Sequence, residues 1–218
     1  CSGLRYDDKA PQFRATRRAM DFGTDIPSVV LRIPAASAPG RKFQYQSANS
    51  QLLGLIVERA TGRRYADYLS EKLWRPLAAS NASVWLDRDR GTARTYGGLF
   101  ATARDWARIG LLFLNQGVVG DRQVVPREWI RKMITPSDLE PDYGLHIWLG
   151  FEPGGSRKGD REDPFPGDLY YLDGEDKQRV YIVPSRSLVI VRLGDDPGAF
   201  DDSFLPNVII KGLPRSPE

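Results

Sequence analysis

The sequence predicts an α+β fold in which a helical layer precedes an antiparallel sheet, and three observations carry that reading. Between Ser47 and Leu114 apolar residues recur at helical spacing. From Tyr143 onward they alternate or run in short, strand-length groups. At 218 residues a folded chain would bury roughly 70% of its unfolded surface, enough for one domain, or one with an inserted subdomain. Residues 1–42 read as an irregular connecting segment, 43–135 as a helical region, and 136–218 as antiparallel strands with a C-terminal helix.

The elements follow in order. Residues 1–42 hold several prolines and basic residues around one short helix at Phe13 to Met20. From Ser47 a helix is marked by Leu52, Leu53, Ile56, Val57 and Ala60, with Gly62 in a C-cap position. A second, about Tyr65 to Trp74, stops before Pro76. The third starts after Thr102 as N-cap, carries Trp106, Ile109, Gly110, Leu111, Phe113 and Leu114 on a broad apolar face, and is closed by Gly117. Val118 to Val125 reads as a hairpin with a Gly-Asp turn, and Pro126 opens a helix through Met133. Strands are expected at Tyr143 to Leu149, Asp168 to Leu172, Arg179 to Val183 and Ser187 to Leu193, the last two joined by a tight turn at Pro184 to Ser187. Residues 152–167 read as a flexible loop and 203–213 as a final helix.

Composition excludes several functions. With 31 Lys+Arg against 28 Asp+Glu, the net charge of +3 is too balanced for electrostatically driven nucleic-acid binding. One cysteine, Cys1, and one histidine, His146, cannot assemble a Cys/His zinc site, and a single cysteine excludes an intrachain disulfide. A Ser-His-Asp triad could use only His146, which is expected to pack or bond within a strand. No carboxylate cluster has metal-ligand spacing; Arg192, Asp201 and Asp202 read as surface or structural pairs. No apolar run approaches the ~18 residues of a membrane-spanning helix, and neither GxxxxGK[ST] nor GxGxxG occurs.

One stretch carries chemistry. Tyr45-Gln46-Ser47 opens the helix that reads Leu52-Leu53-Gly54-Leu55-Ile56-Val57-Glu58, followed by Thr61-Gly62 and Trp74-Arg75-Pro76-Leu77. Gly97-Gly98-Leu99-Phe100-Ala101-Thr102 and Asp105 come next. In this order the segments resemble the class C β-lactamase-like serine hydrolases, the superfamily of penicillin-binding proteins, related esterases and 6-aminohexanoate-dimer hydrolases. The resemblance spans nearly the whole chain and implies the β-lactamase/transpeptidase-like fold with its N-terminal part missing. It gives Tyr45 the role of base, which a tyrosine can fill if cations and hydrogen bonds bring its pKa down from about 10. It makes Ser47 a substrate-positioning hydroxyl. Read without the resemblance, Tyr45 is a half-buried core tyrosine and Ser47 a helix N-cap.

The resemblance places a third site element at Gly174 to Gln178, similar to a Gly-x-x-Gly-Gln form. Gly174, Lys177 and Gln178 are then substrate-binding, the Gln178 N–H contributing to an oxyanion hole. Lys177 departs from the pattern, standing where a glycine is expected, and Glu175-Asp176 would repel an anionic β-lactam. The stretch also reads simply as a charged turn between strands. No serine in this chain has a lysine three residues on, so the family's Ser-x-x-Lys nucleophile is absent, and Ser2-Gly3-Leu4 matches a segment that follows it. The expectation is therefore a C-terminal fragment of a serine hydrolase cleaving an ester or amide through an acyl-serine, inactive alone, with no cofactor. The alternative is a non-catalytic scaffold lipoprotein lipidated at Cys1. A small ester or amide is the expected partner, and a periplasmic, secreted or lipid-anchored location the first expectation.

Overall fold

The computed structural model describes residues 1–5, 22, 25–150, 168–195, 198 and 201–213. The helix expected at Phe13 to Met20 and the loop at 152–167 lie outside them. The chain forms two compact units, Cys1–Ala101 and Thr102–Glu218.

In the first unit, α1 spans Ile26–Val30 and α2 Ser47–Thr61. Helix α3, Tyr65–Leu69, widens into a π-helical turn, Ser70–Trp74. Two short strands, β1 (Ser83–Val84) and β2 (Leu99–Phe100), pair antiparallel. Helix α1, within a segment expected to be irregular, has a local cause: the Asp25 side chain accepts the Ser28 N–H at 3.2 Å, and Pro27 fixes the first turn. Its Ile26 and Val30 pack with Ala48 of α2 in a small core bordered by Ile33, Leu52 and Tyr96. Helix α2 begins and ends where expected, Gly62 capping it in the left-handed region at φ +65°. Its buried face is not made of the apolar residues that mark the helix. Ala48, Gln51 and Gly54 turn inward, whereas Leu53 and Ile56 are half exposed. The fully buried Gln51 explains this, because its amide serves the backbone of residues 93–95.

In the second unit, α4 spans Ala103–Leu114, and Thr102 caps it as predicted. Thr102 Oγ1 accepts the Asp105 N–H at 3.2 Å and donates to Asp105 Oδ2 at 2.7 Å, a reciprocal capping arrangement. The hairpin of β3 (Val118–Val119) and β4 (Arg122–Gln123) turns at Gly120-Asp121, and α5 (Arg127–Met133) follows Pro126. A four-stranded antiparallel sheet then runs in the order β5 (Trp148–Leu149), β6 (Tyr170–Asp173), β7 (Arg179–Val183) and β8 (Leu188–Arg192). All of β7 is buried. Gly110 lets α4 approach the sheet: a Cβ there would stand 2.5 Å from Val189 Cγ1 and 3.0 Å from Val180 Cγ1. Helix α6, Phe204–Gly212, packs Leu205 and Ile209 against a core of Trp148, Leu169, Tyr171, Tyr181, Val183 and Ile190.

Strand β5 is shorter than the expected 143–149. The Gly144 N–H turns back to the Ile147 carbonyl at 2.9 Å and the Leu145 N–H bonds Met133, so the chain loops before pairing. His146 sits in that loop at φ +61°, exposed, and not in a strand.

Candidate active site

The first unit presents Tyr45-Gln46-Ser47 at the start of α2. Gln46 is extended, at φ −144° and ψ 126°, so its two neighbours point to one side. Tyr45 is 55% exposed and Ser47 is exposed, while Gln46 and Ala48 are buried. The buried Gln46 amide donates to the Leu4 carbonyl at 3.3 Å, fixing the chain as it enters the helix. Ser47 is the first helical residue; the N-cap position belongs to Gln46, whose side chain makes no cap bond. Tyr45 is thus an exposed side chain, not a core tyrosine.

Helix α2 is held by the segment that leads to Gly97-Gly98. Gln51 Nε2 donates to the Ala93 carbonyl at 2.9 Å, its Oε1 accepts the Thr95 N–H at 3.1 Å, and Thr95 Oγ1 donates to the Ser50 carbonyl at 2.8 Å. Gly54 makes room for this, since a Cβ there would lie 2.5 Å from Thr95 Cγ2. The Oδ1 of Asn49, two residues beyond Ser47, is buried without a hydrogen-bond partner among the described residues. Only its neighbourhood to Ser47 marks it in the sequence.

The second unit carries the other candidate residues in the turn between β6 and β7. A 3₁₀ turn, Glu175–Lys177, contains two consecutive left-handed residues, Asp176 at φ +54° and Lys177 at φ +60°. The expectation of glycine at position 177 has its cause here, because an L side chain in that region costs roughly 1–2 kcal/mol. Arg192 offsets the cost. Its Nη1 donates to the carbonyls of Lys177 at 2.9 Å and Asp176 at 3.2 Å, and its Nη2 to that of Asp195 at 2.9 Å.

The Gly174 N–H closes the turn on the Gln178 carbonyl at 2.9 Å. A Cβ on Gly174 would lie 2.9 Å from Gln178 Cβ. The Gln178 side chain is consumed in structure: its Nε2 donates to the Gly194 carbonyl, and its Oε1 accepts the Gly194 N–H at 3.0 Å. The Gln178 N–H donates to the Glu175 carbonyl at 3.2 Å. Beneath the turn Arg179, 2% exposed, sends Nη1 to the Gly174 carbonyl at 3.2 Å, the Gln178 carbonyl at 3.0 Å and the Asp173 carboxylate.

The structure therefore brings Tyr45 together with Ser47, and Gly174 with Lys177 and Gln178. Arg179 and Arg192, which shape the turn, have only their place in or beside a strand as a sequence signal. Asp202 and Arg192 make structural contacts, as expected, and Asp201 Oδ1 accepts the Ser203 N–H at 2.8 Å. Among the described residues no group of three His, Cys, Asp or Glu is placed to hold a metal ion. No described helix is long and apolar enough to cross a membrane.

The family model described as Beta-lactamase matches residues 2–208. Over 100 residues the chain is 40% identical to the 6-aminohexanoate-dimer hydrolase of Paenarthrobacter ureafaciens, an alignment covering 45% of this chain and 25% of that protein. Among solved structures, a Bacillus anthracis protein provisionally named as a 6-aminohexanoate-dimer hydrolase superposes with a TM-score of 0.73 at 20% identity. That match covers 96% of this chain and 57% of the other. A penicillin-binding protein from Bacillus halodurans gives 0.63 at 18% identity, covering 96% and 70%. The fold is thus β-lactamase/transpeptidase-like, and the matches cover 25%, 57% and 70% of the lengths of these three proteins.

Proposed function

Since this chain belongs to the beta-lactamase family, we propose that it is the C-terminal portion of a serine hydrolase that cleaves an ester or amide through an acyl-serine. The observation that carries this is the alternation at 45–48: two hydroxyl-bearing side chains exposed on one side of an entry to α2, with Gln46 and Ala48 buried behind them. A core-packing motif would bury Tyr45.

In this reading the serine of a Ser-x-x-Lys segment preceding residue 2 attacks the substrate carbonyl, and its proton passes to Tyr45, held as a phenolate by the lysine ammonium. The carbonyl becomes a tetrahedral oxyanion, stabilised by the serine N–H. Collapse expels the amine or alcohol, which takes up the proton. Water, deprotonated by the same base, attacks the acyl-serine and releases the acid. Ser47 orients the substrate. The 40% identity over 100 residues to a protein named 6-aminohexanoate-dimer hydrolase supports an amide substrate over a β-lactam.

The test is labelling with a fluorophosphonate. The chain joined to its preceding polypeptide should be labelled at a serine upstream of residue 2, and Tyr45→Phe should slow labelling by about 10²–10⁴-fold. The 218-residue chain alone should stay unlabelled. Absence of label from the longer protein, or label on one of the serines present here, overturns the proposal.

A further inference from the structure

Arg94 packs against two aromatic rings with its Nε unpaired among the described residues. Its guanidinium carbon lies over the Trp85 ring at 5.0 Å and over the Tyr96 ring at 4.8 Å from the centroids. Its Nε is buried and has no hydrogen-bond partner among the described residues, and none of their ion pairs involves Arg94. Arg88, nearby in sequence, instead lies within ion-pair distance of Asp87 and Asp25. With Nε buried, the in-plane N–H groups that can meet a carboxylate are those of Nη1 and Nη2, on a guanidinium packed against two rings.

The surroundings are fixed. The Arg94 N–H donates to the Trp85 carbonyl at 2.9 Å, and the Trp85 N–H to that of Gly98 at 2.9 Å. Gly98, at φ +94°, lets the backbone pass with a would-be Cβ 3.2 Å from Trp85 Cβ. The residues flanking Arg94 are both tied to Gln51. Beside the cation lies apolar surface: Trp85 is 54% exposed and Phe100 50%, their rings 5.1 Å apart.

We propose that Arg94, with Trp85 and Phe100, forms a binding site for a carboxylate carried on a short apolar chain. The in-plane donors take the acid and the two exposed rings take the chain. The side chain is pre-organised by the rings and the Gln51 tether, so little rotamer freedom is lost when an acid arrives. This is a binding property of the first unit and stands apart from the hydrolase reading.

Titration calorimetry of the 218-residue chain with hexanoate, hexanamide and acetate tests it. Hexanoate should bind saturably with a dissociation constant on the order of millimolar, hexanamide and acetate at least about fivefold more weakly. Arg94→Gln should weaken hexanoate at least about tenfold, and Arg94→Lys, a point charge without the fork, several-fold. Phe100→Ala, which removes one of the two rings but not the one under Arg94, should weaken hexanoate at least about threefold. Equal binding of hexanoate and hexanamide, or no saturation below about 100 mM, overturns the proposal with the wild-type chain alone, whatever the variants do. An Arg94→Gln chain with an unchanged circular dichroism spectrum and unchanged hexanoate affinity also overturns it.

Discussion

Arg179 and Asp202 face each other in the interior of the second unit as a two-bond pair, Nε to Oδ1 at 2.7 Å and Nη2 to Oδ2 at 3.2 Å. They are 2% and 1% exposed. Burial disfavours the charge on Arg179, but its bond to Asp202 and the charges of Asp173 and Asp202 outweigh this and raise its pKa. Asp202 also accepts the Tyr181 hydroxyl at 3.2 Å, joining β7 to the entry of α6.

Asp202→Ala would remove both carboxylate bonds to the Arg179 guanidinium and the bond from the Tyr181 hydroxyl, leaving Arg179 its contacts to Asp173, Gly174 and Gln178. Removing one partner of a buried pair costs roughly 3–5 kcal/mol, and the remaining Asp173 contact puts this case at the lower end. Replacing both partners, as Arg179→Met with Asp202→Leu, should cost less than Asp202→Ala alone. Urea unfolding midpoints of the three chains check the order; a double variant less stable than the single one would contradict it.

Gly54→Ala tests the fit between α2 and the segment at Thr95. Helix propensity favours alanine by roughly 1 kcal/mol. A Cβ 2.5 Å from Thr95 Cγ2 and 2.6 Å from Oγ1 opposes it, and overpacking costs typically about 1–3 kcal/mol. Thr95 cannot retreat cheaply, being bonded to Ser50 and Gln51. The variant should therefore be less stable, by about 1 kcal/mol in thermal unfolding. Adding Thr95→Ala should recover part of the loss by removing the atoms that clash.

The parts of this fold legible in the sequence are those whose causes are local. Thr102 with Asp105, the Gly120-Asp121 turn and the left-handed Gly62 set their elements within a few residues, so α4, the β3–β4 hairpin and the end of α2 lie where the pattern puts them. Strands β1 and β2 pair residues fifteen and seventeen apart around a loop whose shape comes from Trp85, Arg94 and Gly98, and no short-range signal announces that. The buried face of α2 is not legible for a related reason: Gln51, a polar residue, is turned inward by two backbone groups more than forty positions away. Tyr45 and Ser47 were legible only through the ordered motif around them. Arg94 has no such frame, and its environment emerges only once the rings are placed.

Tyr170 gives a pH test. It is buried, with its ring edge-on to Phe113 at 6.3 Å, and burial, with the nearby Asp168 charge, raises its pKa to about 12. In the unfolded chain the phenol ionises near 10. Above pH 10 the folded protein holds a proton that the unfolded chain has released, so stability falls as pH rises, by up to about 1.4 kcal/mol per unit, until the folded pKa is passed. Its contribution is fully present below pH 10 and lost by about 12. Tyr181, raised further by burial and by Asp202, adds to the same decline. Tyr170→Phe should therefore flatten the stability curve between pH 10 and 12 without abolishing it. An unchanged slope would mean that the phenol ionises as freely folded as unfolded.

The turn at 174–178 is braced by two arginines that are Cα partners across β7 and β8, Arg179 and Arg192. Like charges opposite each other in a sheet are ordinarily unfavourable, but here the two guanidinia divide the turn's acceptors. Arg179 takes the carbonyls of Gly174 and Gln178 at its ends, Arg192 those of Asp176 and Lys177 at its middle. The left-handed backbone at Lys177 depends on the second set, so substitutions there should couple. Arg192→Gln removes charge-assisted bonds to the strained residues and should destabilise the protein by about 1–2 kcal/mol. In a chain carrying Lys177→Gly, where the left-handed conformation costs nothing, the same change should cost measurably less. A thermal-unfolding double-mutant cycle with a coupling of at least about 0.5 kcal/mol is the expected result; additivity would mean that Arg192 acts independently of the strain at Lys177.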